Sequence, residues 1–154
     1  MALTQAEADA LLRMPKEFVE ADPLELPRTQ PLNYVRTLLS VDRREEFLFD
    51  LERGNRNRAR LKYQTRGRKV IVLARLDING PAHRNPPGSP YKPGVRLDCP
   101  HFHRYVENFE DRVAYEISDV PELVMRDPTN AVFCLQDFLG YCAVQPVPNI
   151  QLTV

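Results

Sequence analysis

The sequence has no excess charge of either sign: 21 basic and 21 acidic residues balance over 154 positions. No bulk attraction to nucleic acid or to a membrane surface follows from it. There is no apolar run of 18 residues, which excludes a transmembrane helix. There is no basic start followed by an apolar segment, so no signal peptide is expected. No Cys-x-x-Cys spacing occurs, and the three cysteines, Cys99, Cys134 and Cys142, are an odd number, which argues against a disulfide framework. If Cys134 and Cys142 share a helix they stand about 12 Å apart, too far to bridge. Together these absences point to a protein of the reducing cytoplasm with no membrane partner. Internal repeats and low-complexity tracts are missing too. A chain of this size buries one real core without staples.

What is present is unevenly placed. Residues 1–27 hold six acids against two bases, and residues 107–127 hold seven acids against two bases. Between them, Arg53 to Lys69 carries eight Arg or Lys and no Asp or Glu. A cationic stripe between acidic regions suits a nucleic-acid binder, and equally a protein that pairs with itself.

Local patterns set the expected elements. Thr4-Gln5-Ala6-Glu7 matches a capping box, and Ala6, Ala10, Leu11, Met14 and Phe18 follow at helical spacing, with Pro15 set to end or kink the helix. Pro23, Pro27 and Pro31 make residues 22–33 an extended connector. Phe47 to Leu51 reads as a strand. Arg58 to Arg66 alternates, with Ala59, Leu61, Tyr63 and Thr65 on one face and Arg58, Arg60, Lys62, Gln64 and Arg66 on the other. Lys69 to Ile78 is apolar on both faces except at Arg75 and Asp77, as a central strand is. Residues 79–100 hold six prolines and three glycines and form a long loop. Asn108 to Asp111 connects the next two strands, the second running from Arg112 to Ile117. A last helix starts after Pro128-Thr129-Asn130 and ends at Gly140. The expectation is an α+β protein, a single domain with a mostly antiparallel sheet (45–118) flanked by an N-terminal helix (1–21) and a C-terminal helix (129–142).

The strand after the loop reads His101-Phe102-His103-Arg104-Tyr105. Alternation puts His101, His103, Tyr105 and Glu107 on one face. Three readings compete. The histidines start a metal site, which then needs a third ligand. Glu107 lies about 13 Å along an extended strand, too far without a bend. Cys99, His83 and Asp77 are the other candidates. Alternatively the histidines are a metal-independent acid–base pair, with the cationic strand stabilising a phosphorane, as in RNA cleavage. Or they pair with neighbouring strands and carry no chemistry. The first motif of the cupins has similar spacing, but the second is missing. Tyr105 stands where a histidine-triad motif has its third His. Neither family's chemistry carries over.

On the cationic strand, Arg58, Arg60, Lys62 and Arg66 are spaced by roughly 6.6 Å per alternate residue, which can match successive phosphates. The competing reading is a solvated edge strand protected by charge, or a row paired with acids.

Several segments look familiar together: Leu-Thr-Gln-Ala-Glu-Ala-Asp at 3–9, Arg-Leu-Asp-Ile-Asn-Gly-Pro at 75–81 with His83 and Asn85-Pro86, Pro100 to Tyr105, and Asp137-Phe138-Leu139 with Tyr141-Cys142. In these the chain resembles an uncharacterised family of roughly 150-residue bacterial and phage proteins, a domain of unknown function. The resemblance implies a bacterial or mobile-element setting and no activity.

The expectation that results is a cytoplasmic protein that binds RNA or DNA through Arg58, Arg60, Lys62 and Arg66. Its enzymatic form is a metal-independent ribonuclease of toxin type, with His101, His103 and Tyr105 as catalytic candidates and no cofactor or metal. The rival is a non-enzymatic inhibitor or adaptor that docks a host or phage protein.

Overall fold

The computed structural model describes residues 2–154. In chain order its elements are α1 (Gln5–Arg13), β1 (Lys16–Phe18), β2 (Leu24–Pro27), β3 (Leu32–Ser40), β4 (Glu46–Arg53), β5 (Leu61–Gly67), β6 (Ile71–Ile78), β7 (His83–Arg84), β8 (Arg96–Leu97), β9 (His101–Arg104), β10 (Ala114–Glu116), α2 (Ala131–Tyr141) and β11 (Ile150–Thr153). Seven strands form one sheet in the order β1-β3-β4-β5-β6-β9-β10, and every pairing in it is antiparallel. The α+β class holds. Among the described residues no helix is long and apolar enough to cross a membrane.

The capping box forms: Thr4 Oγ1 accepts from the Glu7 amide at 3.1 Å and Glu7 Oε1 accepts from the Thr4 amide at 3.0 Å. The helix expected over 1–21 stops at Arg13. Met14 precedes Pro15 and is extended (φ −62°, ψ 127°), because the proline ring disfavours the helical region for its predecessor. Phe18 therefore belongs to β1. The connector expected over 22–33 contains β2, which pairs in parallel with β11 near the other end of the chain. The sheet begins at β1, well before residue 45. The last helix lies within the expected 129–142, with the Asn130 side chain accepting from the Phe133 amide at 3.0 Å.

Alternation in β4, β5 and β6 divides the sheet into two faces. Phe47, Phe49, Leu51, Leu61, Tyr63, Leu76 and Phe102 are buried on one of them. Phe138 of α2 packs its ring on Phe49, Tyr63 and Phe102, and Leu11 of α1 meets Gly67 and Leu73 on the same side. Both helices thus cover one face. β5 is interior rather than an edge strand, and β6 lies between β5 and β9. The second face of β6 carries Arg75 and Asp77.

Candidate functional site

Register builds this face. Asp77 pairs with His101, and Arg75 with His103, across β6 and β9. On the other side of β6, Lys62 pairs with Asp77 and Gln64 with Arg75. One strand further, Glu52 pairs with Lys62 and Asp50 with Gln64. Because directly opposed residues share a face, two cross-strand rows result: Glu52–Lys62–Asp77–His101 and Asp50–Gln64–Arg75–His103. The histidines and the cationic strand therefore share one face of the sheet.

Asp77 is the centre of the cluster. Its Oδ2 lies 3.1 Å from His101 Nε2 and 3.4 Å from His103 Nε2. Its Oδ1 is buried and has no hydrogen-bond partner among the described residues; Arg75 Nε lies 3.2 Å from it but donates instead to Oδ2 at 3.3 Å. Arg75 Nη2 reaches His103 Nε2 at 2.9 Å, and Nη1 donates to Asp111 Oδ2 at 3.0 Å. The far nitrogens of both rings meet backbone carbonyls: His101 Nδ1 is 3.2 Å from the Asp98 oxygen, and His103 Nδ1 is 2.7 Å from the Asp111 oxygen. A carbonyl only accepts, so both Nδ1 atoms carry hydrogen. Burial pushes the His103 ring below the usual imidazole range and outweighs its bond to Asp77. Burial also pushes the Asp77 carboxyl up, yet the two histidines and the Arg75 charge win and hold it below the usual carboxylate range.

Both imidazoles are closed off from solvent, His101 at 1% exposure and His103 at 0%. The cover comes from residues 79–100. That stretch is no open loop: it folds back through the β7–β8 pairing. Asn85 pins it to β10, accepting from the Ala114 amide at 2.7 Å and donating to the Ala114 oxygen at 3.0 Å. His83 sits over the pair, its ring centroid 4.8 Å from that of His103, with Nε2 bound to the Arg112 oxygen at 2.7 Å. Cys99 Sγ lies 3.7 Å from His101 Nδ1.

Tyr105 is not part of this cluster. The strand ends at Arg104, and the Tyr105 hydroxyl is buried on the helix side, donating to the Leu3 oxygen at 2.7 Å and accepting from the Leu3 amide at 2.9 Å. Glu107 accepts from the Gln5 amide at 2.7 Å. The expectation that these two share a face with the histidines fails because alternation lapses where the strand stops.

The four candidate phosphate contacts separate into two kinds. Arg66 makes a two-pronged contact with Asp50, at 2.7 and 2.8 Å, and Lys62 lies 3.3 Å from Glu52. Arg58 and Arg60 lie ahead of β5 in the connection from β4. Arg58 donates to the Asn55 and Thr29 oxygens, and Arg60 lies along Gly80. Among the described residues, no carboxylate is within 4.0 Å of Arg56, Arg58 or Arg60.

Sequence reasoning placed Arg75 and Asp111 in no site and Asp77 only among remote candidates. The signal was available in Arg75 and Asp77 as the charged pair in an otherwise apolar strand. The register that sets them against His101 and His103 was not.

Comparison with known families matches residues 3–144 to a family of unknown function, DUF6978. The match takes in the whole seven-stranded sheet and both helices. No curated protein and no solved structure matches the chain significantly.

Proposed function

Because the chain belongs to a family of unknown function, DUF6978, we propose its role from its own surface: it binds RNA or DNA by its phosphates at the β4–β5 connection. The supporting observation is that, among the described residues, Arg56, Arg58 and Arg60 have no carboxylate partner, while Lys62 and Arg66 further along do. Arg56 and Arg58 are exposed and Arg60 is half-buried. Guanidinium groups free of internal ion pairs are the ones that can release counterions from a phosphate backbone. Cleavage by an acid–base pair needs an imidazole within reach of substrate, and the burial of His101 and His103 favours binding over a ribonuclease of toxin type. The bacterial or mobile-element setting belongs to the same proposal.

The test is anisotropy titration of labelled RNA and DNA oligonucleotides at several salt concentrations. Changing Arg56, Arg58 and Arg60 together to Ala should weaken binding and flatten the salt dependence, by about 0.9 in log–log slope per lost contact on duplex DNA. Changing Lys62 to Ala should have little effect. Absence of salt-sensitive binding by the native protein at low salt would end this reading.

One observation favours a protein partner instead. An apolar groove of Ile117, Val120, Leu123, Val124 and Met125 runs beside Pro100, and Val124 is 72% exposed.

A further inference from the structure

We infer that Asp77, His101 and His103 form a binding site for a divalent transition-metal ion. The inference is independent of nucleic-acid binding and rests on the geometry of three side chains. One ligand atom from each lies within 4.8 Å of the others. The Asp77 Oδ2 separations of 3.1 and 3.4 Å from the two Nε2 atoms match the spacing of about 3.3 Å that metal–ligand bonds near 2.05 Å give at tetrahedral angles. An arrangement of two imidazoles and one carboxylate, with positions left open, suits zinc, iron(II) or cobalt(II) and not calcium or magnesium.

The surrounding bonds fix which atoms are free. The Nδ1–H groups point at the Asp98 and Asp111 carbonyls. In the neutral ring each Nε2 then carries a lone pair, and both lone pairs face the Asp77 carboxylate. Lone pairs do not bond to lone pairs; a positive centre has to lie between them, and the groups that can supply it are Arg75, whose Nε donates to Asp77 Oδ2 at 3.3 Å, a ring proton, or a metal ion. A ring N–H donated to a backbone carbonyl is also how metal-bound histidines are oriented. Asp77 is itself 7% exposed, and its second oxygen, Oδ1, is buried with no hydrogen bond made among the described residues. A buried acceptor without a partner is uncommon and costs stability.

Arg75 is the competing cation. Its Nη2 holds the His103 lone pair at 2.9 Å, while Asp111 grips Nη1 at 3.0 Å. A metal ion displaces the first contact and leaves the second as the pivot. Arg75 and Asp111 have side chains 20% and 30% exposed, against 1% and 0% for the histidines, so the ion enters past them.

The experiment titrates chelator-treated full chain with cobalt(II) and zinc(II), following cobalt d–d absorption, calorimetry and histidine ring 15N shifts. The expected result is one ion per chain, with the Nε2 resonances of His101 and His103 moving and those of His83 unchanged. Outer partners of a ligand alone are worth about 10- to 100-fold in affinity, so Asp77→Asn and His103→Ala should weaken binding about 100-fold or more. Arg75→Met removes a positive charge beside the site and should tighten binding about tenfold or more. No stoichiometric binding by either the native protein or Arg75→Met would overturn the site. So would binding that survives Asp77→Asn, or binding whose 15N shifts appear at His83 alone. The 15N arm uses native protein and decides the matter even if a variant fails to fold.

Discussion

Lys16 is fully buried, yet its ammonium group is saturated: it donates to the backbone oxygens of Leu12, Met14 and Cys142 at 2.8–2.9 Å. Those carbonyls lie at the C-terminal ends of α1 and α2, where the helix dipole favours a cation, and the group also rests 4.6 Å over the Phe47 ring. Substituting Lys16 by Met leaves three carbonyls without a donor, and denaturant unfolding should show a loss of about 3 kcal/mol at pH 7. Burial pushes the Lys16 amine down to about 8, from 10.5. Between those two values the unfolded chain binds more protons than the folded one, so this group adds stability as pH rises from 8 to 10.5. Native protein should gain stability relative to Lys16→Met across that window, and a flat difference would show that the ammonium stays charged throughout.

At the scale of elements, β6 joins the core to the candidate site, and its two faces do different work. Leu73 is fully buried at the irregularity opposite Thr65 and Arg66, against Leu11 of α1. Leu73→Ala should cost about 2–5 kcal/mol, as truncation of a packed leucine does; an unchanged unfolding midpoint would contradict the central position of the strand. α1 is tied to the sheet by Tyr105 and by the reciprocal Gln5–Glu107 contacts. Tyr105→Phe should therefore reduce hydrogen-exchange protection of α1 amides while leaving β5 and β6 protected. Alternation made β4 and β5 legible in the sequence, an apolar run on both faces made β6 legible, and the capping residues made both helix starts legible. Asp77 meeting His101 was not, because 24 residues separate them. Nothing local in the intervening stretch announces where the β7–β8 excursion returns the chain. β2 and β11 were missed for the same reason, each lacking a partner nearby in sequence.

Over the whole molecule, zero net charge conceals a sorted surface. The face of the sheet away from the helices alternates sign along its cross-strand rows, so Lys62 and Arg66 answer to Glu52 and Asp50, while among the described residues Arg56, Arg58 and Arg60 at the β4–β5 connection have no carboxylate within 4.0 Å. Composition reported the balance; only register shows which cations remain available. The small β2–β11 sheet holds the two ends of the fold together, with the Leu24 amide donating to the Asn149 oxygen at 2.8 Å and the Arg28 amide to the Thr153 oxygen at 2.9 Å. Deleting residues 149–154 should lower the thermal midpoint and let β2 amides exchange near solvent rates, with protection in β5 unchanged.

That parallel pairing also has a meaning in time. A ribosome releases β2 early and β11 after every strand of the large sheet has emerged. Until then Leu24 and Leu26, both wholly buried in the finished protein, belong to a strand whose one paired strand among the described residues has yet to be made. The nascent chain thus carries an unpaired strand through most of its synthesis, the kind of edge on which foreign strands add. Acidic and proline-containing residues around it, from Glu20 to Pro31, guard that edge until its partner arrives.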